Sequence, residues 1–180
     1  MMKQFLLSVW EVIEVVAVAV VTVFVIRTYL VQPFLVSGAS MEPGFSTGDY
    51  LLIDEISYRF REPQRGEIVV FRYPEDPKIY YIKRVIGLPG ERVIVRDGFV
   101  TIYNDVSPEG FQLNESYLTP GIRTIGNTDQ ALAPGEYFVL GDNRNYSYDS
   151  RSWGILPREN VVGLVRVRLF PFTEAEAFTY

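Results

Sequence analysis

The sequence predicts a mainly β domain, barrel-like or sandwich in form, with a small inserted lobe and one N-terminal transmembrane helix. Three observations predict it. Residues 15–26 read VVAVAVVTVFVI, apolar except for Thr22. Beyond Pro33, short runs of β-forming residues alternate with Gly, Pro, Asn and Asp turn signals. Between Val106 and Leu132 that pattern lapses into a polar stretch holding Gly110, Pro120, Gly121, Gly126 and Asn127, without a clear period.

The anchor comes first along the chain. A bilayer core needs about 20 apolar residues in a helix, and a span from Val12 to Val31 meets that length. Arg27 near one end can snorkel to the interface, and Tyr29 suits the same level. Glu11 and Glu14 then fall at the opposite interface. A cleaved signal peptide has a shorter apolar core followed by a small-residue cleavage site; neither is present here. Residues 1–31 are therefore read as an uncleaved membrane anchor and residues 32–180 as the folded domain. Lys3 favours a cytoplasmic N-terminus, but the flanking charges leave orientation open.

The strands follow in order. PFLVSGASM reads as strand then loop, and DYLLIDEIS and GEIVVFRY as strands. PEDPK is a turn, and IYYIKRVIGL is a buried strand stopped by Pro89-Gly90. ERVIVRDGFVTIYND reads as two alternating runs joined at Asp97-Gly98, a hairpin signal. EYFVLGDN runs from strand into loop, and NVVGLVRVRLF is the last strand. Short strands with frequent Gly and Pro fit a barrel or sandwich. The stretch of about 106–132 is read as a lobe or long loop inserted into it.

Composition removes whole classes of chemistry. The chain has 180 residues, no histidine and no cysteine. Ser-His-Asp and Cys-His mechanisms are therefore excluded, as are His-ligated zinc, thiol nucleophiles and disulfides. No metal or other cofactor is expected. A net charge of −5 argues against an electrostatic grip on nucleic acid.

Three segments carry candidate chemistry. Ser40 lies in Gly38-Ala39-Ser40-Met41-Glu42-Pro43-Gly44, where small residues let another backbone approach and Pro43 stiffens the exit. A serine in such a turn is usually only a turn residue. If it is a nucleophile it needs a base, and without histidine the candidates are Asp, Glu, Tyr and Lys. The only lysines are Lys3, Lys78 and Lys83. Lys78 sits in the solvated turn PEDPK. Lys83 is flanked by apolar and β-forming residues, where desolvation would depress its pKa and make it a base. Alternation along the strand equally allows it to face solvent. The third segment, Gly141-Asp142-Asn143-Arg144-Asn145-Tyr146-Ser147-Tyr148-Asp149-Ser150-Arg151, reads either as a polar surface loop or as a support for the other two.

The ordered set SGASMEPGF, GDYLLIDE, YYIKRVIGLPGE and GDNRNYSYDSRSWG, behind an N-terminal anchor, resembles the bacterial type I signal peptidases. The resemblance spans most of the chain. It implies a membrane-bound serine endopeptidase with Ser40 as nucleophile and Lys83 as general base. It assigns Ser147 to orienting the lysine, and Asp142, Asp149 and Arg151 to structural support. The Ser40 backbone N–H would be one oxyanion donor. Gly38 stands where some members carry a hydroxyl donor, so the second donor is either a backbone group or Gly38 itself. Phe34, Val36, Tyr81 and Ile82 would line pockets for small side chains. The implied partners are secretory preproteins cut after a small-x-small motif, and the lipid bilayer. The domain would sit outside the cytoplasm at the cell membrane. Phe34, Leu35, Phe170 and Phe172 are candidates for the interface. Rivals on related folds are a self-cleaving repressor, which would carry a DNA-binding module, and a pilus- or conjugation-type processing peptidase. A rival of another class is an inactive peptide-binding domain.

Overall fold

The computed structural model describes residues 10–22 and 31–180. Residues 10–22 form helix α1, with every residue exposed. Among the described residues no helix is long and apolar enough to cross a membrane. Of the expected span from Val12 to Val31, residues 12–22 are helical. Its continuation over 23–30 lies outside the described residues, as do residues 1–9.

Two sheets make up the rest. The strands are β1 (Val31–Leu35), β2 (Tyr50–Asp54), β3 (Ile68–Tyr73), β4 (Asp76–Gly87), β5 (Arg92–Arg96), β6 (Phe99–Tyr103), β7 (Phe111–Gln112), β8 (Thr128–Ala131), β9 (Glu136–Leu140), β10 (Leu156–Pro157), β11 (Val161–Phe170) and β12 (Glu176–Ala177). The large sheet runs β1-β2-β11-β3-β4-β9-β10, with β12 added to β11. The small one runs β7-β6-β5-β8. One-turn helices α2 (Ser57–Phe60) and α3 (Ser150–Trp153) cap loops.

The sequence pattern explains the layering. In β3 side chains alternate across the sheet. Ile68 and Val70 enter a core with Val36, Met41, Phe45, Leu51, Ile53 and Val165. Val69 and Phe71 enter a second core with Tyr137, Val139, Leu156 and Leu164. A strand buried on both faces reads as the unbroken run IVVF. In the β5–β6 hairpin only one face is buried. Val93, Val95, Val100 and Ile102 pack on Ile86, Phe138 and Leu140 of the large sheet. Asp97 and Gly98 both have positive φ, 54° and 87°. Two left-handed residues between Arg96 and Phe99 make the tight turn expected of Asp-Gly. The segment 106–132 contributes β7 and β8 to the same small sheet.

Two of the open strand edges in the large sheet come to face one another. Among the described residues β1 pairs only with β2. β4 pairs with β3 from Asp76 to Arg84, but β9 joins its other edge only at Arg84. Among the described residues, the outer edge of β4 before Arg84 therefore carries no strand. The sheet curls enough to bring these open edges together: the rings of Phe34 on β1 and Tyr80 on β4 meet with centroids 5.3 Å apart.

Candidate active site

The turn after β1 is held from inside and from its ends. Met41 and Phe45 are almost completely buried in the first core, with Phe45 N–H bonded to the Met41 carbonyl at 3.0 Å. Val36 and Gly48 close the loop neck through Val36 N–H to Asp49 O, 2.9 Å, and Gly48 N–H to Val36 O, 3.0 Å. Gly38 has φ 111°, where a side chain would be strained. That gives a physical reason for glycine rather than serine at this position. Gly38 N–H donates to Thr47 Oγ1 at 2.9 Å, so this candidate oxyanion donor is already engaged. The Ser40 N–H has no hydrogen-bond partner among the described residues.

Lys83 meets Ser40 here. Lys83 Nζ donates to Ser40 Oγ at 2.8 Å and to its neighbouring carbonyl, Ile82 O, at 2.8 Å. The lysine is only 3% exposed. Alternation puts it on the face of Tyr81 and Val85, and that face is covered by the second core rather than by water. Burial pulls its pKa down to about 8, against the opposing pull of Asp149 and Asp142. The Tyr81 ring centroid lies 5.3 Å from Nζ.

The loop after β9 braces both residues. Asp142 takes a two-pronged bond from Arg84, Nε to Oδ1 at 2.9 Å and Nη2 to Oδ2 at 2.6 Å. This pins the loop to the residue next to Lys83. Asp149 is fully buried. It accepts from Arg151 Nε and Nη2, both at 2.8 Å, and from Gly141 N–H at 3.1 Å. Arg151 also donates to Ile125 O at 2.9 Å. Ser147 is packed against Gly141, and no side chain fits between them. A Cβ on Gly141 would lie 2.6 Å from Ser147 Cβ and nearer still to Ser147 Oγ and the Ser40 carbonyl. The Ser147 hydroxyl is buried without a hydrogen-bond partner, so the expected bond to Lys83 is not formed in this structure.

A groove runs beside the pair, between the open edges of β1 and β4. Phe34, Val36, Tyr81 and Ile82 all line it, with Leu51 and Val70 as floor and Ser37, Ser40 and Lys83 at one end. Sequence reasoning gave no role to Asn143. Its N–H donates to Ser40 O at 3.0 Å and its Nδ2 to Ala39 O at 2.9 Å, clamping the Ser40 turn. It also passed over Arg144, whose side chain is 0% exposed. Both lie inside the GDNR run, and their polar type after an apolar strand was the available signal.

The model of the signal peptidase, peptidase S26 family matches residues 9–170. The chain belongs to the S26 peptidase family. Among relatives, a probable signal peptidase I-2 from Synechocystis sp. is 40% identical over 167 residues, covering 89% of this chain and 73% of its own. A signal peptidase I from Leptolyngbya laminosa is 38% identical over 169 residues, covering 89% and 79%. One from Bacillus licheniformis is 34% identical over 177 residues, covering 93% and 91%. A crystal structure of a signal peptidase I from Enterococcus faecalis V583 is 32% identical, covers 58% of this chain and 97% of its own, and has a TM-score of 0.48. As an S26 peptidase, this protein is a serine endopeptidase.

Proposed function

We propose that this S26 peptidase removes N-terminal signal peptides from secreted preproteins, cutting after a small-x-small motif, with Ser40 as nucleophile and Lys83 as base. One observation carries the reading: a buried lysine of depressed pKa lies 2.8 Å from a serine hydroxyl at the end of an open-edged groove. With a pKa near 8, about a tenth of Lys83 is neutral at pH 7. The neutral amine takes the proton from Ser40 Oγ as Oγ bonds to the scissile carbonyl carbon. The oxyanion so formed is stabilised by the free Ser40 N–H. The Lys83 ammonium then gives its proton to the departing amine of the mature protein. That leaves an ester between Ser40 and the signal peptide. Lys83 next takes a proton from water, hydroxide attacks the ester, and Ser40 regains its proton as the signal peptide leaves as a carboxylic acid.

The substrate adds an extended strand between the edges of β1 and β4, using their unpaired backbone groups. Phe34, Val36, Tyr81 and Ile82 leave room at alternate positions for small side chains. Asp142, Asp149 and Arg151 support the loop, and Ser147 orients Lys83 when substrate closes the site. Residues 1–31 anchor the domain on the outer face of the cell membrane. In support, α1 exposes Val12, Val15, Val16, Val18, Val20 and Val21, a surface that suits lipid rather than water. Sharing a membrane with its preproteins raises their effective concentration.

The test is cleavage of an Ala-x-Ala preprotein by the full chain in liposomes, with product termini read by mass spectrometry. A single cut directly after the second alanine is expected. Cutting elsewhere, or none by folded protein, overturns the assignment.

A further inference from the structure

Arg144 leads from the active-site loop into the small lobe. Its Nε donates to Gly141 O at 3.0 Å, tightening the turn that begins the loop. Its other nitrogens point away, into residues of segment 106–132. Nη1 bonds Thr124 Oγ1 and pairs with Glu115 Oε1 at 2.5 Å, and Nη2 donates to Tyr117 Oη at 3.1 Å. Tyr117 Oη in turn donates to Glu115 Oε1 at 3.1 Å. The Tyr117 ring lies 4.1 Å from the Arg84 guanidinium carbon, a stacking distance, and Arg84 is the residue that grips Asp142. Two arginines rooted at the active site thus converge on one tyrosine of the lobe.

We infer that Glu115 and Tyr117 are positioning residues: through Arg144 and Arg84 they fix the Gly141–Asn143 turn that clamps the Ser40 backbone. The inference rests on the Ser40–Lys83 reading and extends it. A guanidinium with no exposure cannot keep its place without a carboxylate, and Glu115 is its only one among the described residues. If Glu115 withdraws, Arg144 must move toward water. The Gly141 carbonyl it holds moves with it, and two residues on, Asn143 loosens from the Ala39 and Ser40 carbonyls. Tyr117 ties that event to the other side of the loop, because the same ring packs on Arg84. Neither Glu115 nor Tyr117 lines the groove. Their loss should therefore alter the reacting geometry and leave substrate binding intact.

The experiment compares wild type with Glu115→Gln, Tyr117→Phe, Tyr117→Leu and Asp129→Ala, as full chains on the Ala-x-Ala preprotein. Asp129 pairs with Arg92 on the exposed side of the same lobe and touches none of this network. A displacement of about 1 Å at reacting atoms can slow an enzyme by about 100-fold. Glu115→Gln and Tyr117→Leu should lower kcat by about 10- to 100-fold, with KM within about twofold of wild type. Tyr117→Phe keeps the ring on Arg84 and should lose only a fraction of that, the partial rescue that identifies the stacking. Asp129→Ala should match wild type. Glu115→Gln preserves volume, so it decides the matter if Tyr117→Leu fails to fold. Unchanged kcat in Glu115→Gln overturns the inference, as does a loss seen in KM or shared by Asp129→Ala. Wild type that fails to cleave, yet is acylated at Ser40 by a penem, would sink the substrate assignment alone. The same comparison would then be read in acylation rates.

Discussion

Replacing Lys83 with methionine should abolish activity and yet stabilise the protein at neutral pH. The argument is a linkage calculation. In the unfolded chain Lys83 titrates at about 10.5, and in the folded protein at about 8. Below pH 8 both states are protonated, and folding carries the full penalty of burying the ammonium. That is about 2.5 pK units, or roughly 3.5 kcal/mol at about 1.4 kcal/mol per unit. Methionine has similar length and no charge to bury. It also forfeits the bonds to Ser40 Oγ and Ile82 O, at about 1 kcal/mol each. The balance is a gain of about 1.5 kcal/mol at pH 7, or about 3–6 °C in melting temperature for a domain of this size. Between pH 8 and 10.5 the folded lysine releases its proton before the unfolded one does, so wild type gains stability as pH rises. Above that window methionine retains only its losses and should melt below wild type. Calorimetric melting curves for both proteins from pH 6 to 10.5 test this. The predicted signature is a crossing of the two stabilities. Parallel curves, or wild type more stable at pH 6–7, would refute the claim that the site pays for a buried base.

Four other outcomes follow from the same geometry. The kcat/KM of wild type should rise about tenfold per pH unit below about 8 and level above it, because only neutral Lys83 can accept the Ser40 proton; a flat profile from pH 6 to 9 in the cleavage assay contradicts that. Asp142→Asn removes a carboxylate that raises the Lys83 pKa and breaks the two-pronged bond from Arg84. It should shift the acid limb to lower pH and cost about 3 kcal/mol by denaturant unfolding. Gly141→Ala drives a methyl into Ser147 and the Ser40 carbonyl. It should lower kcat at least about tenfold, and wild-type turnover would show that the loop yields freely. Ser147→Ala should slow turnover without lowering the melting temperature, since its hydroxyl is buried with no partner to lose; unchanged kcat would remove its orienting role.

Much of the fold was legible because its signals are local. The IVVF run of β3, the Asp97-Gly98 turn and the polar break after Val106 each appear where periodicity or turn chemistry requires them. The curl that faces β1 toward β4 was not legible. It depends on the path through β2, β11 and β3, and strands far apart in sequence carry no mark of their neighbours. Ser40 and Lys83 are 43 positions apart, and pattern alone allowed Lys83 to face solvent. What hides it is the second core covering its face of β4, which no window around residue 83 reveals. Asn143 and Arg144 escaped for a similar reason. A polar residue after a strand reads as loop, and only the approach of the Ser40 turn and of Glu115 and Tyr117 gives each its work. The hydrogen bond expected between Ser147 and Lys83 is absent here, where Lys83 spends its donors on Ser40 and Ile82.

The most direct test of the Ser40–Lys83 pair is covalent. Wild type, Ser40→Ala and Lys83→Ala would be incubated with a penem acylating agent, digested, and mapped by mass spectrometry. The account predicts a single acyl adduct on Ser40 in wild type, absent from Ser40→Ala and from folded Lys83→Ala. An adduct on another serine, or undiminished acylation of Ser40 without Lys83, would contradict it.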